Sequence, residues 1–139
     1  MKKLILLFVV VLSVGFTSCS KDDDNAQGSL SGKWEFLKDG TIINGTETLQ
    51  NYDHSPNCEK DHFMITENDF VEHRFERQEC TEFITPYTYT RNGNIVTASD
   101  QQGASANFEI VQLDNTTLKI KTIPTEGTAV SYVTVFVRR

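Results

Sequence analysis

The chain has 139 residues, with 13 Lys and Arg against 19 Asp and Glu, a net charge of −6 with the histidines neutral. An acidic balance of this size repels nucleic-acid phosphates and anionic headgroups, so neither partner is expected to be held by charge. The length supports one modest hydrophobic core and no second domain.

Taken in chain order, the first element is a leader. Lys2 and Lys3 precede the uncharged run LILLFVVVLSVGF, Leu4 to Phe16. A bilayer span needs about 20 apolar residues and a secretory signal core only about 7–15, so the run is a signal core rather than a membrane anchor. The TSC that follows, Thr17 to Cys19, resembles a bacterial lipobox, with Phe16 standing where Leu is usual. The resemblance implies removal of residues 1–18 and a lipid on Cys19. The next residues, SKDDDNAQGSLS, are low in apolar side chains and form a polar tether, 19–31 with the cysteine. A lysine and acidic residues just after the lipid-bearing position also resemble the export signal of surface lipoproteins. That implies a cell-envelope protein anchored in the outer membrane and displayed on its outer face, whereas a plain spacer implies only the anchor. Loss of Lys2 and Lys3 makes the exported chain more acidic still.

Three cysteines are an awkward number for an exported protein. With Cys19 lipidated, Cys58 and Cys80 remain, and in an oxidising compartment two such thiols are most simply a disulfide. A thiolate metal site would call for the CxxC spacing of zinc ligands, which is missing here.

From Gly32 to Arg139 the pattern is alternation bounded by turn residues, with no helical apolar period. KWEFL puts Trp34 and Phe36 on one face. HFMIT and FVEHRFE flank Glu67-Asn68; PYTYTR and NIVTAS flank Asn92-Gly93, a strong hairpin signal; NFEIVQL and TLKIKTI flank Asp114-Asn115; AVSYVTVFVRR closes the chain. These are eight strands joined by short turns. Consecutive hairpins predict an all-β antiparallel meander that removes its edges by closing into an up-and-down barrel, with a two-layer sandwich as the alternative.

GKWEF, with Gly32 and Trp34, resembles the GxW motif of lipocalins, and CEKDHFMITENDFVEHRFERQEC followed by YTYTRNGNIVTAS is similar to the lipocalin-like domain of small bacterial lipoproteins. The likeness covers most of 32–139. It implies an eight-stranded lipocalin-like barrel, two cysteines flanking the second hairpin, and a basic residue of the last strand lying over the motif's tryptophan at the closed end. Arg138 matches that position, where a guanidinium over an indole is a favourable cation–π contact. It also implies that the barrel binds a small hydrophobic molecule.

An eight-stranded barrel is just wide enough to be filled by its own side chains or to hold one small ligand. Phe63, Ile65, Phe70, Phe108, Ile110, Leu118, Ile120, Val133 and Val135 are enough to fill it, and a packed interior is the expectation. A filled barrel would make the protein an interaction module whose outer face or loops contact a protein or glycan. His62 and His73 should pair across the Glu67-Asn68 turn, a spacing that suits a metal only if a third ligand such as His54 or a carboxylate joins them. No serine or threonine sits in a nucleophile elbow, and no Gly-rich phosphate loop occurs, so neither an enzyme nor a cofactor is expected.

Overall fold

The computed structural model describes residues 28–124 and 127–139. Nine strands follow one another: β1 (Gly32–Ile43), β2 (Thr46–Asn51), β3 (His62–Ile65), β4 (Asp69–Phe75), β5 (Glu82–Asn92), β6 (Ile95–Ser99), β7 (Ser105–Leu113), β8 (Thr117–Thr122) and β9 (Val130–Arg138). The strands are rich in β-branched and aromatic residues, and Asn, Asp and Gly punctuate them, as pleated pairing and tight turns require. Each pairs antiparallel with its neighbours in the order β2-β1-β3-β4-β5-β6-β7-β8-β9, and β1 also pairs with β9. The sheet therefore closes into the expected all-β barrel, with β1 and β3 to β9 as its eight staves. Among the described residues there is no helix.

The ninth strand is an addition to the sequence-based expectation. β1 runs well past KWEFL. Its first part pairs with β3, from Gly32↔Ile65 to Glu35↔His62. After an irregularity between Phe36 and Lys38, its second part pairs with β2, from Lys38↔Asn51 to Ile43↔Thr46. The loop between them is Asn44-Gly45, both with positive φ (50° and 81°), as a type I′ hairpin demands. The later hairpin around Asn92-Gly93 also differs slightly: Asn92 pairs with Ile95, so the loop is Gly93-Asn94. The Glu67-Asn68 loop is as expected, with Ile65↔Phe70 and His62↔His73 in register.

Because strands alternate in direction, loops gather at two ends. The 66–69, 93–94 and 114–116 turns lie at the end where β1 begins. Asp114 organises the last of these by accepting from the backbone N–H groups of Thr116 and Thr117, each at 2.8 Å. The other end carries the β1–β2 loop and the 76–81, 100–104 and 123–129 connections. There the 52–61 segment is tied to β4 and to the 76–81 connection that follows it. Tyr52 donates to Asp61 Oδ2 (2.8 Å), the Phe75 N–H donates to Asp61 Oδ1 (2.9 Å), Ser55 donates to the Phe75 carbonyl, and Cys58 is disulfide-bonded to Cys80.

On the outer face of β1, Glu35 is only 8% exposed. It accepts from Lys60 Nζ (2.9 Å) and from Arg139 Nε and Nη2 (3.1 and 3.2 Å), linking the first strand to the last residue. Burial alone would raise its pKa, but the hydrogen bonds from Arg139 and Lys60 outweigh that and hold it at about 2. A folded-state pKa below the ordinary 4.5 gives stability that is present above that value and lost as pH falls toward 2. Allowing for the exposed partners, the contribution at neutral pH is about 2–3 kcal/mol. Urea unfolding of Glu35→Gln against the unaltered chain should thus show a stability gap at pH 7 that narrows between pH 4.5 and 2. A gap that stays constant across that window would remove the ion pairs as its cause.

Candidate functional site

The core gathers at the end where β1 begins. Trp34 is completely buried, with Phe136, Leu118, Ile110 and Phe36 close behind. Trp34 donates its indole N–H to the Leu30 carbonyl (2.6 Å), and the Arg138 guanidinium lies over its ring, 4.2 Å from the centroid. Arg138 also donates from Nη1 to the Ser31 carbonyl (2.7 Å) and from Nη2 to the Ser29 carbonyl. Gly32 makes room for this: its φ is +137°, and a Cβ there would stand 2.6 Å from Arg138 Nη1. Together these residues form a floor, crossed by 28–31, that shuts this end of the barrel.

Above the floor the barrel is not filled. A cavity of about 210 Å³ is lined by Phe36, Phe63, Ile65, Phe70, Ile110 and Leu118 among others. It shares Phe63, Phe70, Glu72, Arg74, Ala98 and Phe108 with a second space of about 390 Å³, which reaches the 100–106 rim. Pockets for drug-sized ligands occupy about 300–1,000 Å³. The inner chamber alone falls short of that range, and the adjoining rim space, which shares these lining residues, lies within it.

The expectation of a packed interior is thus corrected, for two physical reasons. Val133 and Val135 do not enter the barrel. They pair with Lys121 and Lys119 and alternate with Thr134 and Phe136, the β9 residues that line the cavity. On β6 and β7, Ala98 sits opposite Ala106, and two methyl groups leave open what larger side chains would fill. Phe63, Ile65, Phe70, Phe108, Ile110, Leu118 and Ile120 all line the chamber. The Phe63–Phe70 and Phe70–Tyr87 ring pairs, 5.1 and 4.7 Å between centroids, make its wall stiff and aromatic.

Two charged residues stand in this apolar wall. β4 alternates, so Phe70, Glu72 and Arg74 share the inward face. Arg74 Nε donates to Glu72 Oε1 (2.6 Å), and the Tyr87 hydroxyl donates to Glu72 Oε2 (3.3 Å). Burial, then the Glu72 charge, raises the pKa of Tyr87 and keeps that hydroxyl a donor. The Glu72 side chain is 12% exposed and that of Arg74 56%, with its guanidinium carbon 5.8 Å from the Phe36 ring centre. The sequence reading missed this pair. Its signal was available in DFVEHRF, where opposite charges two apart share the face of Phe70.

The histidines are placed otherwise. His62 and His73 stack outside the barrel, centroids 4.6 Å apart and nearly parallel. His62 Nδ1 lies 2.9 Å from the Lys60 carbonyl and His73 Nδ1 2.6 Å from Glu82 Oε1. His54 does not join them. Its Nδ1 accepts from the Asp61 N–H (3.1 Å), which leaves Nε2 to donate to the Phe36 carbonyl (2.7 Å), so its two ring nitrogens are held by the backbone. Among the described residues no group of three His, Cys, Asp or Glu is arranged to hold a metal. Cys19 lies outside the described residues.

No relative was found among curated proteins. Among solved structures, a lipocalin-like protein from Bacteroides uniformis is similar at 14% identity and a TM-score of 0.57, covering 81% of this chain and 100% of its own. An uncharacterised protein from Bacteroides eggerthii is similar at 10% identity and a TM-score of 0.56, covering 80% and 100%. These likenesses concern the fold. The profile of the lipocalin-like domain matches residues 30–120, from the floor segment into β8. A match over that span, on a closed barrel with a tryptophan–arginine floor, places the chain in the lipocalin-like domain family.

Proposed function

We propose that this protein is a lipid-anchored envelope lipoprotein whose non-catalytic barrel takes up a small hydrophobic molecule. The observation that carries the ligand reading is the apolar chamber above the floor, open through the Glu72–Arg74 level to the rim. Membership of the lipocalin-like family supports it. The anchor rests on the sequence: a signal core too short to span a bilayer, a lipobox-type TSC, and Cys19 as the cysteine left over by the Cys58–Cys80 bond. The KDDD run after it supports display on the outer face of the outer membrane.

Native mass spectrometry of the chain carrying Cys19→Ser tests the ligand reading. The expected result is a co-purifying small molecule that is shed on activation and that rebinds after extraction. Protein that purifies empty and takes up no apolar probe would end that reading. The same substitution should abolish incorporation of labelled fatty acid and partitioning with envelope membranes; unchanged partitioning would end the anchor.

A further inference from the structure

Resting on the reading of the chamber as a ligand site, we infer that the ligand is an amphipathic acid, its apolar body in the chamber and its acidic head on Arg74. Among the described residues, Arg74 is the one cation lining either the chamber or the space above it. It stands where the two meet. Its Nε is committed to Glu72, which leaves the paired Nη groups of a more than half-exposed side chain as donors. A guanidinium edge of that kind matches the two oxygens of an acid.

The carboxylates that line these two spaces, Glu72 and Asp100, already accept hydrogen bonds within the protein, which leaves them less to offer an amine. Glu72 accepts from Arg74 and Tyr87. Asp100, on the rim, accepts from the N–H groups of Gln102 and Ala104 at 2.9 Å each. A cationic head would be repelled by Arg74, and the acid beside it, Glu72, is already paired with that arginine. An acidic head meets the Nη groups, which hold no hydrogen bond to another of the described residues. The chamber of about 210 Å³ limits the apolar body to a compact ring system or a short chain.

Two fluorescent probes with one aromatic framework separate the head from the body: anilinonaphthalene sulfonate, and phenylnaphthylamine, which lacks the sulfonate. Both are titrated into the chain carrying Cys19→Ser, so that no acyl group competes. Arg74→Met should weaken the sulfonate probe about tenfold or more, the scale of one charge-assisted contact, and change the neutral probe less than about twofold. The double variant Glu72→Gln/Arg74→Met leaves no unpaired acid behind and should show the same selective loss. A sulfonate affinity restored by the double variant would assign the effect to repulsion by Glu72 and overturn the inference. So would equal losses for both probes, which would make Arg74 a part of the wall. Binding of neither probe to the parent chain would instead sink the ligand site itself.

Discussion

Trp34→Ala should lower the unfolding free energy by about 3–5 kcal/mol, the usual cost of deleting a large buried ring. The site explains why the loss should lie in the upper part of that range. The indole is completely buried, and its N–H is satisfied by the Leu30 carbonyl, so removal leaves both a void and an unpaired acceptor. A domain of this size has little more than that to lose. Arg138→Ala should cost about 0.5–2 kcal/mol through the cation–π contact, while the exposed Ser29 and Ser31 carbonyls it releases can turn to water. The two losses should be less than additive, because the guanidinium has no ring to cover once the indole is gone. A double-mutant cycle followed by urea unfolding measures the coupling. Full additivity would mean that the first and last strands do not support each other at the floor.

The second large effect should come from the Cys58–Cys80 bond, which closes a loop with a sequence separation of 22. In the chain-entropy model, cross-linking a loop of this length stabilises by about 3 kcal/mol. Cys58→Ser/Cys80→Ser should lose about that much and unfold at correspondingly lower urea, with an unchanged slope if the native barrel persists. Reduction of the parent chain should give the same shift. The loss should not reach the floor, so the Trp34 emission of the folded variant should match the parent. A folded state with altered emission would show that the disulfide sets the barrel's closure as well as its stability.

How much of this was legible beforehand follows from what each residue depends on. The His62↔His73 pairing could be read because a two-residue turn fixes the register by counting. The floor followed from GKW at one end and Arg138 at the other, since a barrel brings first and last strands together. β2 was missed although Asn44-Gly45 is the same dipeptide as Asn92-Gly93. The flanking TETLQN has no apolar alternation, and β2 caps the upper half of β1 rather than building the wall. Val133 and Val135 were misassigned because β9 carries large side chains on both faces, VSYVTVFVR, so alternation alone left the inward face open. The cavity depended on volume rather than pattern. It comes from an Ala98–Ala106 pairing that only the register between β6 and β7 brings about.

The floor also decides which way the protein looks. The chain joins the barrel there: the Gly28 N–H reaches the Leu113 carbonyl at 3.4 Å, and Arg138 holds Ser29 and Ser31 by their carbonyls. Anything fastened to the preceding segment is therefore fastened to the bottom of the cup. From Cys19 to Gly28 even a fully stretched chain covers only about 30 Å. On the proposed reading, a lipid at Cys19 would therefore tether the barrel by its closed end, with the mouth at the end away from the attachment.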